Sequence, residues 1–164
     1  MSRNVRKCCY CTAQGMAGVE TEPFYVGEYR HNLDGKNRVT IPSKWRFLGD
    51  DGDIYVGWWH PDGYIAVYPP KKITEFRERI RGIAESDRQG QGILRRLFGK
   101  AHQFGCDSQG RIKLHGALVQ LAGLTKAVVL VGLGESFNIW NEKLYQDQAG
   151  EEFDLLSAMR EFGI

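Results

Sequence analysis

Leu33-Asp34-Gly35-Lys36-Asn37-Arg38-Val39-Thr40-Ile41-Pro42 is the stretch whose reading decides the fold, because the chain repeats it as Cys106-Asp107-Ser108-Gln109-Gly110-Arg111-Ile112-Lys113-Leu114-His115. Asp34 maps on Asp107, Arg38 on Arg111 and Ile41 on Leu114 without a gap. Each copy runs from a small apolar residue through Asp and three turn-forming residues to Arg. Apolar and polar residues then alternate. The interval between copies is far longer than a solenoid repeat, which indicates two copies of one small module. An arginine held twice at the same place in a turn suggests repeated contact with a repeated partner.

Outward from the first copy, residues 24–33 alternate apolar and polar and predict a strand. Gly35-Lys36-Asn37 predicts a turn, since Gly and Asn tolerate positive φ, and residues 38–41 predict the returning strand. After Pro42, residues 43–48 predict a short helix ended at Gly49; residues 54–59 and 64–68 predict two further strands joined by Pro61-Asp62-Gly63. Past Pro69-Pro70, the spacing of Ile73, Phe76, Ile80 and Ile83 predicts one helix. Ser86 predicts the cap of a second, with Ile93, Leu94, Leu97, Phe98 and Ala101 on its face and Gly90 and Gly92 weakening its first turn. The second module follows: strands at 103–106, 111–114, 127–131 and 136–140, with a helix at 115–122. Residues 141–148 predict a helix, and Phe153, Leu156 and Phe162 stand near helical spacing in the tail.

The expected fold class is mainly β with short helices (α+β). Each module holds about four short strands and one helix, too little for a core of its own, so the halves are expected to interlock. The expected divisions are an unstructured extension at 1–23, a first module at 24–71, a helical connector at 72–98, a second module at 99–143 and an acidic, partly helical tail at 144–164. Met16 offers an alternative start that would remove the cluster Cys8, Cys9 and Cys11.

Net charge is only +2 over 164 residues, so the total does not point to nucleic acid, but the distribution is uneven. The connector from Lys71 to Lys100 carries nine Lys/Arg against four acids, whereas residues 141–164 carry two bases against six acids. No apolar run reaches membrane-span length and no secretory signal is visible, so a cytoplasmic protein with no membrane partner is expected. Cys8, Cys9, Cys11 and Cys106 fit neither zinc spacing nor a disulfide framework. His31, His60, His102 and His115 lack metal-ligand spacing, and Gly132-x-Gly134 lacks the third glycine of a dinucleotide fingerprint. No catalytic constellation, metal, cofactor or small-molecule substrate is expected. The aromatics at 58–59 and 64–68 alternate on strands and read as core and subunit interface rather than as a stacking platform for bases.

In a hairpin turn, the carboxylate of Asp-x3-Arg accepts hydrogen bonds from N–H groups ahead of it and holds the guanidinium in place. The arginine then stands at the rim, planar and charged, suited to phosphate or to the O6/N7 edge of guanine. The plainer reading, an ion pair that merely closes the turn, would suffice for one copy. A second copy, with Lys36 beside the first arginine and Lys113 beside the second, favours binding.

Gly27-Glu28-Tyr29-x-His31-x-Leu33-Asp34-x-Lys36-x-Arg38-Val39-x-Ile41-Pro42 resembles the opening of the MraZ family of bacterial transcription regulators. Asp107-x-x-Gly110-Arg111-Ile112, Ala122-Gly123-Leu124, Val129-Leu130-Val131-Gly132 and Ile139-Trp140 resemble its second half, in order, so that the likeness spans roughly residues 24–143. The resemblance implies tandem AbrB-like swapped-hairpin modules forming a pseudo-two-fold, β-barrel-like domain, and assembly into a ring-shaped homo-oligomer. It implies a nucleoid-associated protein bound to double-stranded DNA at direct repeats in the promoter of the division and cell-wall gene cluster, including its own gene. The action implied is repression. The DNA-binding residues implied are Arg38, Lys36, Asn37, Arg111 and Lys113, with Asp34, Asp107, Gly35 and Gly110 organising the loops. The chain departs from the pattern at Asn37, where Gly is usual, at His115, where Pro is common, and at Gln109, where a lysine is missing. The alternative reading is an AbrB-like, antitoxin-like protein-interaction module acting through its C-terminal tail.

Overall fold

The computed structural model describes residues 24–46, 55–149 and 154–163. The expectations for residues 1–23, for Phe47 to Gly49, for Ile54 and for Phe153 fall outside the described residues.

The first half consists of β1 (Glu28–Asn32), β2 (Arg38–Thr40), a 3-10 turn at Ser43–Trp45, β3 (Tyr55–Trp59), β4 (Tyr64–Tyr68) and α1 (Pro70–Ile80). After α2 (Arg88–Phe98) the same series recurs as β5 (His102–Phe104), β6 (Arg111–Lys113), α3 (Gly116–Leu121), β7 (Ala127–Gly132), β8 (Phe137–Asn141) and α4 (Glu142–Ala149). A last helix, α5, spans Leu155–Phe162.

All pairings are antiparallel. The strands form a six-stranded sheet, β1-β7-β8-β4-β3-β5, and a two-stranded ribbon, β2-β6. Exchanging each strand for its counterpart in the other half reverses the sheet order and leaves it unchanged, the mark of a pseudo-two-fold. The halves are swapped into each other: β1 runs along β7 rather than returning on β2, and β5 runs along β3. On the ribbon Arg38 lies opposite Lys113, Val39 opposite Ile112 and Thr40 opposite Arg111. Arg38 corresponds to Arg111 and Thr40 to Lys113, so the pseudo-axis passes through the Val39–Ile112 pair. The fold is therefore the expected α+β one, with the six-stranded sheet left open at β1 and β5 among the described pairings.

Strand alternation sends Tyr55, Ile65, Val67, Val128, Leu130, Phe137 and Ile139 to one face of the sheet. There they meet Val39, Ile41, Ile112, Leu114 and Leu118, so the ribbon is pinned to the body by its inner side. Trp45 fills the centre. Its ring packs edge-on against Tyr25 and Tyr29, with centroids 5.6 and 5.1 Å away, and its indole N–H donates to the Val26 carbonyl at 3.1 Å. The opposite face, with Val56, Trp58 and Ala66, is covered by Ile73 of α1 and by Phe76 and Phe98, whose rings lie within 6.4 Å of Trp58. Trp58 is core, Phe76 is half-buried and Phe98 lies at the exposed edge of this layer.

The structure corrects several boundaries. The strand expected over 24–33 is interrupted at Gly27, with φ +100, and Tyr25 rejoins the sheet through an isolated bridge to Gly134. The cap of α2 is Asp87, not Ser86; its carboxylate accepts from the N–H groups of Gln89 and Gly90. Gly90 is buried there, since a side chain would strike Ile83 and Asp87.

Candidate nucleic-acid interface

The two Asp-x3-Arg segments are built alike, bond for bond. Asp34 Oδ1 accepts from the N–H groups of Lys36 (2.8 Å) and Arg38 (2.9 Å), and Asp34 Oδ2 accepts from Arg38 Nε at 2.6 Å. Asp107 Oδ1 accepts from the N–H groups of Gln109 and Arg111, both at 2.9 Å, and Asp107 Oδ2 accepts from Arg111 Nε at 2.8 Å. Backbone bonds close both loops: Asp34 N–H to the Arg38 carbonyl, Asn37 N–H to the Asp34 carbonyl, and their counterparts Asp107 to Arg111 and Gly110 to Asp107, between 2.8 and 3.0 Å. With so many donors aimed at it, the Asp34 carboxyl is pulled down to about 2, the Arg38 N–H being the largest cause. Asp107 is also lowered, chiefly by the Arg111 side chain.

The residue before each arginine takes the left-handed conformation: Asn37 at φ 58 and Gly110 at φ 72. Gly35 does not; its flanks are open, and a side chain there would touch nothing within 4 Å. The loops also hold each other. Leu114 N–H donates to the Asn37 carbonyl at 2.8 Å, and Ile41 N–H donates to the Gly110 carbonyl at 2.9 Å, the same bond made twice across the pseudo-axis.

Val39 and Ile112 face inward and are fully buried. Alternation therefore turns Arg38, Thr40, Arg111 and Lys113 to the outer side of the ribbon. Lys36 stands exposed at the tip of the first loop and Lys113 is exposed opposite Arg38. Arg38 holds Asp34 through Nε at 2.6 Å, and Arg111 holds Asp107 through Nε at 2.8 Å with Nη2 also 2.8 Å from the same oxygen.

Sequence reasoning passed over Arg46 as part of a short helix. Its Nε and Nη2 donate to the Ile41 carbonyl at 2.9 and 2.7 Å, and its guanidinium lies directly on Gly110 of the other module. A side chain at Gly110 would overlap that guanidinium. No local pattern signals this contact, because it joins residues from opposite halves. His102 and His115, expected as structural, stack with ring centroids 3.8 Å apart, and His115 Nδ1 accepts from Ala117 N–H at the start of α3. Burial, and next the neighbouring His115, lower the pKa of His102. His31 is lowered by burial first and then by Arg46. Among the described residues no group of His, Cys, Asp and Glu is placed to hold a metal ion, and no helix is long and apolar enough to cross a membrane.

The fold and its paired loops define a protein with two swapped-hairpin modules that presents one basic ribbon. The sequence profile of a family described as "MraZ protein, putative antitoxin-like" matches residues 97–160. A "Transcriptional regulator MraZ" of Halothermothrix orenii is 31% identical over 145 residues, covering 86% of this chain and 100% of that relative. The regulator of the same name from Natranaerobius thermophilus is 34% identical over 134 residues (80% of this chain, 92% of the relative). That from Limosilactobacillus fermentum is 33% identical over 139 residues (82% and 95%). The chain belongs to the MraZ family of transcriptional regulators.

Proposed function

We propose that this chain is a sequence-specific DNA-binding repressor, acting at direct repeats in the promoter of the division and cell-wall gene cluster, its own gene included. The observation that carries the reading is the joining of both Asp-x3-Arg loops into one ribbon with Arg38, Lys113 and Arg111 on its outer side. A two-stranded ribbon fits the major groove of B-DNA, where an arginine can bond guanine O6 and N7 together. Arg38, on the outer side of the ribbon, takes that role. Arg111 binds phosphate with Lys36 and Lys113, and Asn37 contacts the strand beside the first loop's tip. Asp34, Asp107, Gly35 and Gly110 shape the loops. One ribbon covers little DNA, so a ring-shaped homo-oligomer presents many ribbons to successive repeats and gains affinity through effective concentration. Such a protein works in the cytoplasm, on the nucleoid.

The test is a salt titration of binding to the protein's own upstream DNA against a scrambled-repeat control. Repeat-dependent binding with a steep salt slope is expected. Arg38→Ala should abolish the preference for the repeat and leave the oligomer intact. Equal, weak binding to both DNAs by the unmodified protein would refute the proposal.

A second reading, an antitoxin-like module that engages a protein through its tail, is favoured by one feature. α5 exposes Leu155, Leu156 and Phe162, at 58, 69 and 77% of their surface, within an acidic segment. A stoichiometric protein partner lost on deletion of residues 150–164 would support it.

A further inference from the structure

The two loops differ in charge. The first carries Asp34, Lys36 and Arg38 and is net positive by one; the second carries Asp107 and Arg111, with Gln109 in the lysine's place, and is neutral. Left alone, the second loop would offer phosphate a closed ion pair with little attraction of its own. Arg46, however, comes from the first module and lies on Gly110. Its Nε and Nη2 are fixed by the Ile41 carbonyl, the same residue whose N–H donates to the Gly110 carbonyl. The side chain is exposed, and a guanidinium always keeps its charge. The position that mirrors Arg46 in the second half is Val119, so the first loop receives no such visitor.

We infer that Arg46 is a further phosphate-binding residue of the ribbon: the first module lends the second loop the positive charge that Lys36 gives the first loop. Both loops then carry one net positive charge, and the second binds nucleic-acid backbone despite its missing lysine. A side chain at Gly110 would overlap that guanidinium, and the φ of +72 there favours glycine as well.

This inference rests on the DNA-binding reading, and the experiment separates the two. Binding to repeat-containing and to scrambled duplex DNA is measured against salt for the unmodified protein, Arg46→Gln, Arg46→Lys and the double variant Arg46→Gln/Gln109→Lys. Each phosphate contact contributes about −0.9 to the slope of log K against log salt. Arg46→Gln should therefore flatten the slope by about one per engaged ribbon on both DNAs, making the loss between about 50 and about 200 mM salt about fourfold smaller for each ribbon bound. Arg46→Lys should keep the original slope, and the added lysine in the double variant should restore it. An unchanged slope in Arg46→Gln, while the unmodified protein binds normally, overturns the inference alone. A loss that neither lysine variant repairs assigns Arg46 a purely structural role and also overturns it. Absence of salt-dependent binding by the unmodified protein overturns the DNA-binding reading, and this inference with it.

Discussion

Substituting Gly110 tests the contact between the halves without reference to any ligand. Three positions serve as mutual controls. Gly110 and Gly123 both have positive φ, +72 and +57, but only Gly110 has a neighbour: Arg46 lies on it, whereas nothing lies within 4 Å of a side chain at Gly123. Forcing alanine into the left-handed region costs about 1–2 kcal/mol, and that is the whole expected loss for Gly123→Ala. Gly110→Ala also expels the Arg46 guanidinium, breaking its two bonds to the Ile41 carbonyl. At an exposed site these are worth about 1–2 kcal/mol together, the low end for charged donors. The expected total for Gly110→Ala is about 3 kcal/mol, roughly double that of Gly123→Ala. In an Arg46→Ala background the excess should vanish, leaving only the conformational part. Urea unfolding followed by tryptophan fluorescence, at one fixed protein concentration, gives all four values. The reasoning fails if Gly110→Ala costs no more than Gly123→Ala, or if its cost is the same with and without Arg46.

The first loop should be tolerant of acid. The Asp34 carboxyl, at about 2 against an ordinary 3.8, holds its bonds fully above about pH 4 and releases them as pH falls through about 2. A carbon-detected NMR titration of Asp34 should place its midpoint there, and Arg38→Ala should raise it only in part, because the residue-38 N–H still donates. The His102–His115 stack has the opposite charge type and the same direction: His102 resists protonation in the fold, so its contribution is complete above its ordinary 6.5 and declines as pH drops below that value. His115→Ala should raise the His102 midpoint slightly, since burial is the larger cause, and an imidazole NMR titration reads the shift.

What was legible in the sequence was local. Among the described residues, alternation located β1 to β4 and β6, a strand-sized apolar run located β7, and the order of the second module located β5 and β8. The repeated Asp-x3-Arg was legible as a turn because its bonds run between residues no more than four apart. What was hidden was pairing. Residues 38–41 read as the return of a hairpin, yet β2 pairs with β6 and β1 with β7. Chain adjacency favours the hairpin, whereas the exchange is favoured by contacts between the halves, among them the burial of Val39 against Ile112 at the pseudo-axis and the strand pairs β1–β7 and β3–β5. Arg46 was hidden for the same reason: its partner Gly110 belongs to the other half. The family resemblance pointed to the swap, but neither periodicity nor spacing did.

Joining both modules in one chain permits what a dimer of identical modules forbids. An exact two-fold makes both ends of a ribbon alike, and such a reader is matched to a palindromic site. Here the ends differ in chemistry. One bears Lys36 and Asn37; the other bears Gln109 and Gly110 with Arg46 laid across it. Glycine at 110 leaves the guanidinium room to cross. Under the proposed function the ribbon therefore has a direction on the duplex. A directional reader in a ring meets the same orientation of site at every subunit, which matches repeats written head to tail rather than face to face. Reversing one repeat in a promoter array should therefore weaken binding as much as deleting it. Equal affinity for direct and inverted arrays would show that the asymmetry of the loops has no consequence for recognition.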